Sequence, residues 1–218
     1  MLTSPPHALA LAERGNGGAP PPSELSDIAD RWLREYITQP HEQLGRGGPV
    51  CPFVEPALRA GTLLLRQETG LGAADGPALR AVLRGMRETF RTARWPHSNP
   101  TLHTLLLLLP DLPRPGWALL DELQARAKVE LAQDGLMLGQ FHPDCAETAA
   151  RNPRFAVSRS PIPLLAIRHM AVHDVLFLHK DRELFAEYRL RFGDRYERGV
   201  AVDPTFREVY DAAAATFG

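Results

Sequence analysis

The sequence predicts an α+β or α/β fold: a small mixed sheet covered by helices, in a single domain behind a flexible N-terminal arm. Three observations carry that expectation. Short apolar runs bounded by glycine or proline alternate with longer stretches of helical periodicity. No segment repeats at a fixed period, and 218 residues suit one sizeable core. The first 22 residues hold Pro5-Pro6, Gly15-Asn16-Gly17-Gly18 and Pro20-Pro21-Pro22, too much proline and glycine for a packed element. Residues 1–22 therefore read as the arm and 23–218 as the globular domain.

The elements follow in order. Ser23 reads as the cap of a helix in which Ile28, Trp32, Leu33 and Tyr36 recur at helical spacing until Pro40. A flexible piece, 45–49, delivers the chain to Val50-Cys51-Pro52-Phe53, at the mouth of a strand expected over 61–67. Asp75-Gly76-Pro77 starts a helix over 77–93, with Leu79, Val82, Leu83, Met86 and Phe90 on its apolar face. Residues 101–109 read as a strand. Five consecutive leucines would also suit a helix, but the run is short, ends at Pro110 and lies between two stronger helical patterns. A helix over 115–134 places Trp117, Leu120, Leu123, Ala127 and Leu131 on one side, and 136–141 is a third strand. Helices are expected over 163–178, over 182–192, and from Asp203-Pro204 to about Ala215.

Composition narrows the function. With 44% hydrophobic residues and a formal charge of −1, the chain resembles an ordinary soluble globular protein and lacks the basic excess of a nucleic-acid binder. No apolar run approaches the roughly 20 residues needed to cross a bilayer, and Leu9 to Leu11 is too short for a signal peptide. The two cysteines, Cys51 and Cys145, form no CxxC pair or disulfide framework, which suits a reducing compartment; the cytoplasm is expected.

The chemistry concentrates in the second half, where three of the eight histidines stand among proline-stiffened motifs. Phe141-His142-Pro143-Asp144 sits at a strand end, where the sheet fixes the backbone and the side chain faces an open edge. His142 is either a functional group or a histidine hydrogen-bonded to backbone. His169 and His173 stand four apart on the expected helix, so both rings leave one face and could converge on an ion. The plainer alternative is a pair of packed histidines tied to Asp174 and a carbonyl. Arg159, in Arg159-Ser160-Pro161-Ile162-Pro163, and Arg168 could hold a carboxylate by paired hydrogen bonds, or form ion pairs with Asp144 or Asp174. Cys51 is a candidate nucleophile or heme ligand, or a packed thiol. No GxGxxG, Walker loop, GxSxG elbow or CxxC zinc pattern occurs.

Cys51-Pro52-Phe53, Leu109-Pro110-Asp111, Phe141-His142-Pro143-Asp144 and Arg159-Ser160-Pro161-Ile162-Pro163 stand in the order found in an uncharacterised bacterial domain-of-unknown-function family, which the chain resembles over about residues 50–178. That family carries Arg-Ser-Pro-Tyr-Pro. Here Ile162 replaces the tyrosine, and Arg168 is shifted by a residue. More distantly, the order of elements is similar to the YqcI/YcgG group, some of whose members are heme-dependent oxygenases that hydroxylate nitrogen on amino acids. This likeness implies a heme-dependent mono-oxygenase acting on a small amino acid or related metabolite, in specialised metabolism, although no CxxCH attaches heme covalently. On this reading His142, Arg159 and His173 carry catalysis. His142, His169, Arg168 and Cys51 hold the cofactor, with His142 and His169 as metal ligands. The partners it implies are a small-molecule substrate, a redox partner and a second copy of the chain in a homodimer, with neither nucleic acid nor membrane. Two alternatives stand beside it: a non-heme metal enzyme using His142, His169 and His173, and a non-enzymatic binding module.

Overall fold

The computed structural model describes residues 22–72, 75–198 and 200–218. All but the last residue of the expected arm lies outside them. Helix α1 (Pro22–Trp32) begins at Pro22, so Ser23 stands inside the first turn rather than before it. It runs directly into a π-helical turn, Leu33–Ile37, in which the Thr38 amide donates to the Leu33 carbonyl at 2.9 Å. The remaining elements are α2 (Val54–Ala60), β1 (Leu63–Gln67), α3 (Gly76–Thr92), β2 (Thr104–Leu108), α4 (Arg114–Gln133), β3 (Leu136–Phe141), the small hairpin β4 (Thr148–Ala149) and β5 (Asn152–Ala156), β6 (Leu164–His169), α5 (Val175–Leu178), α6 (Arg182–Glu197) and α7 (Pro204–Phe217).

The main sheet has the order β1-β2-β6-β3, with β1 and β2 parallel and the other pairs antiparallel. It is the helix-covered mixed sheet of an α+β domain. The leucine run forms β2, which is buried on both faces between β1 and β6. Leu105, Leu107 and Leu109 join the core under α3 and α4, while Leu106 and Leu108 join the core under α1 and α2. A strand covered on both faces has no polar side to show, which is why the run is unbroken. Gly135, at φ 72°, takes the left-handed turn that ends α4 and starts β3. A third cluster, centred on Phe185, Tyr188, Tyr196 and Tyr210, packs α6 and α7 against Met170 and Ala132.

Two expectations need correction. The helix expected over 163–178 is strand β6, followed by a 3-10 turn at Val172–Asp174 and the short α5. Leu164-Leu165-Ala166-Ile167 is too short to show a period. Pairing with β2 and β3 on both sides decides it as a strand, and tertiary contact overrides local preference. His169 and His173 therefore do not share a helical face. Cys51 stands before α2 rather than at the mouth of a strand, with its amide on the Ile37 carbonyl at 2.9 Å.

Candidate functional site

Strand β3 lies at the sheet edge, and its last residues turn alternately to the two faces. Gln140 and His142 point toward α4; Phe141 points toward α1, where Trp32 meets it edge-on at 5.4 Å. His142 is 3% exposed. Its Nε2 lies 3.1 and 3.2 Å from the two carboxylate oxygens of Asp121 on α4, which also accepts from the Gln140 amide at 3.3 Å. Trp117, one turn earlier on α4, packs its ring 5.4 Å from the imidazole. An ionised carboxylate can only accept, so the ring proton sits on Nε2. Nδ1 is buried without a partner among the described residues.

The Pro143 turn brings a third group to this place. Residues 142–145 form a tight turn with proline at its second position, and the Cys145 amide donates to the His142 carbonyl at 3.0 Å. Cys145 is thereby folded back, fully buried, against the strand it has just left. Its thiol makes a long 3.8 Å contact to the Gln140 carbonyl. Burial pushes that thiol up in pKa, with the nearby Asp121 carboxylate acting in the same direction. One ligand atom from each of Asp121, His142 and Cys145 lies within 4.8 Å of the others, the one such group found among the described residues. Sequence reasoning singled out His142 but missed Asp121 and set Cys145 aside. The turn signal in His142-Pro143-Asp144-Cys145 was there to be read for Cys145; Asp121 carries no local signal. The carboxylates nearest in sequence are used elsewhere: Asp144 pairs with Arg114 at 2.7 Å and Asp174 with Arg168.

Arg168, His173 and Cys51 gather at the other end of the sheet, on the α2 side. Arg168 donates to both oxygens of the fully buried Asp174, at 2.7 and 2.6 Å, and lies 4.9 Å over the Phe53 ring. Burial alone would push the Asp174 carboxyl up; the Arg168 charge and hydrogen bonds outweigh it and hold the group below its ordinary range. His173 packs 4.6 Å from Phe53, and burial holds it below the usual histidine value against the pull of Asp174. Cys51 is half-buried on the same side. His169 is on the opposite face, packed 5.1 Å from Phe90 and 5.8 Å from His103, and burial lowers it too.

The strand register settles which of these groups can meet. Phe141 pairs with Leu164 and Leu136 with His169, so His142 and His169 stand at opposite ends of the sheet, about 20 Å apart along the strands. His142 cannot share an ion with His169 or with His173, and His169 and His173 are divided by the sheet.

A groove of about 420 Å³ opens beside the His142 turn, on the α1 side. Trp32, Tyr36, Phe155, Pro143 and Pro161 line it, with Arg159 at the rim. The Trp32 indole donates to the Arg159 carbonyl at 3.1 Å and the Tyr36 hydroxyl to the Val157 carbonyl at 2.9 Å. The buried Ser160 hydroxyl donates to the Ile162 carbonyl at 2.6 Å, pinning the proline-rich turn that holds Arg159 in place. Burial raises the Tyr36 hydroxyl, and the positive Arg159 works against that shift.

One family model matches this chain, a domain of unknown function (DUF6875), over residues 25–203. The chain belongs to that family. The match spans the whole sheet, the Asp121–His142–Cys145 cluster and the groove of this DUF6875 domain, and stops at the start of α7. No curated protein and no solved structure matches the chain. No helix among the described residues is long and apolar enough to cross a membrane.

Proposed function

We propose that this domain binds a small carboxylate-bearing metabolite, an amino acid or a relative of one, in the groove between Trp32, Tyr36 and Arg159. One observation carries the reading. The polar ends of both aromatic walls are already bound to backbone carbonyls, so they offer a ligand only their rings, while Arg159 is exposed and takes no acid partner among the described residues. A site with apolar walls and one convergent cation suits an apolar or flat body carrying a single anionic group. The volume lies within the range of small-molecule pockets. The wall stands on a π-helical turn, an irregularity frequent at functional sites. Arg159 would fix the carboxylate by paired hydrogen bonds, and Trp32, Tyr36 and Phe155 would shield the body from water.

The heme-dependent oxygenase expected from the layout draws support from the His142–Asp121 pair, since a carboxylate on one ring nitrogen is how ligating histidines are oriented. The geometry favours a smaller reactant than heme, because the remaining nitrogen, Nδ1, is buried within the fold beside Trp117.

Isothermal titration with aromatic and aliphatic α-amino acids, each beside its methyl ester, tests the groove. The acids should bind, the esters should bind at least tenfold more weakly, and Arg159→Ala should bring acids and esters to the same low level. Equal binding of acids and esters by the parent protein, or unchanged binding by Arg159→Ala, refutes the reading.

A further inference from the structure

We propose that Asp121, His142 and Cys145 form a binding site for a single divalent transition metal of the zinc type, with an open coordination position. The inference stands independently of the groove and its ligand.

The donor set is the first ground. Carboxylate, imidazole and thiol together suit a borderline-soft ion such as zinc, and are a poor set for magnesium or calcium, which take oxygen ligands. The spacing is the second. Two ligands each about 2.0 Å from a tetrahedral ion stand about 3.3 Å apart. His142 Nε2 already lies 3.1–3.2 Å from the Asp121 oxygens. Cys145 Sγ lies within 4.8 Å of a ring nitrogen of His142 and a carboxylate oxygen of Asp121, and its contact to the Gln140 carbonyl is a long 3.8 Å. The third ground is the His142 ring. Its Nδ1 is buried without a partner among the described residues, and an orphaned buried polar atom of this kind is uncommon and calls for a ligand such as a water or an ion. The thiol proton of Cys145 leaves to solvent as the S–metal bond forms, so binding one ion releases about one proton from this set.

The surroundings match a catalytic ion more than a structural one. Three protein ligands leave a fourth position open. His142 and Cys145 are buried, whereas the Asp121 side chain is 44% exposed, so the open position faces the surface through which a water or substrate arrives. Gln140 donates to Asp121 from behind and orients it.

The test uses cobalt(II) and zinc(II) alone with the full-length protein. Cobalt should bind at one per chain and develop the near-ultraviolet band of a thiolate–cobalt bond, and stoichiometric zinc should bleach it. Cys145→Ser should remove the band, and Asp121→Asn should weaken binding at least tenfold with unchanged far-ultraviolet dichroism, its side chain being half-exposed. Arg159→Ala should bind metal as the parent does, so that loss of the groove ligand and loss of the ion are read separately. Titrations in two buffers of different ionisation enthalpy should return about one proton released per ion. A parent protein with no stoichiometric cobalt binding overturns the inference. Cobalt binding without a thiolate band, or equal affinity in parent, Cys145→Ser and Asp121→Asn, overturns it as well.

Discussion

Asp174→Asn is predicted to cost about 3–5 kcal/mol, the usual penalty for removing one partner of a buried ion pair. Asp174 is fully buried and accepts three hydrogen bonds shorter than 2.8 Å, two from Arg168 and one from the Ala171 amide at 2.7 Å. Asparagine keeps the shape and can keep the Ala171 bond, but its amide nitrogen opposes a guanidinium that can only donate. The Arg168 side chain is 18% exposed. It is left as a charge with little access to water, and two charge-assisted hydrogen bonds, each worth about 1.5–3 kcal/mol, are weakened or lost. For a domain whose whole stability is of the order of 5–15 kcal/mol, this is a large share. Urea denaturation at pH 7, followed by far-ultraviolet dichroism, reads the change as a lower midpoint at constant slope. The double variant Arg168→Met/Asp174→Leu removes both charges together and should be more stable than Asp174→Asn, since the penalty lies in the orphaned partner. A loss below about 1 kcal/mol in Asp174→Asn, or a double variant less stable than the single one, would refute the reasoning.

Acid should destabilise the fold through two buried histidines. Burial holds His169 and His173 below the ordinary histidine value, so the native state prefers them neutral. Their contribution is complete above the unfolded value of about 6.5 and is lost as pH falls through the lower folded values. The urea midpoint should drop between pH 7.5 and pH 5, and less so in His169→Gln; a flat profile contradicts this. Asp174, itself held low, stays ionised over that window. Gly135→Ala should cost about 1 kcal/mol or more, because its φ is 72° and a methyl group there would meet the Arg191 guanidinium nitrogen at 2.8 Å. A thermal midpoint equal to that of the parent protein would show that the turn adjusts freely.

The elements legible in the sequence are those whose signal is local. Strand β3 falls at the expected residues, and α3 and α4 start and stop within a residue or two of theirs, because glycine, proline and capping residues mark their ends. The leucine run was ambiguous by period, and its proline boundary decided it correctly. Strand β6 was not legible: four apolar residues between Pro163 and Arg168 fit either state, and only the two neighbouring strands select one. The same logic divides the site. His142 stands out through its motif, but its partner Asp121 is 21 residues earlier on another element, and only packing α4 on β3 joins them. The Arg168–Asp174 pair, six residues apart, was foreseeable. Trp32 and Tyr36 read as an ordinary apolar helix stripe. The π turn that makes them the wall of a groove leaves no mark in the pattern.

The central claim, a carboxylate-bearing metabolite held by Arg159 between aromatic walls, is tested most directly by a crystal structure of the protein soaked with the tightest-binding α-amino acid. The account predicts density for the ligand body between Trp32, Tyr36 and Phe155, with its carboxylate oxygens within hydrogen-bond distance of the Arg159 guanidinium. A ligand seated elsewhere, or lying in the groove with its carboxylate turned away from Arg159, would contradict it.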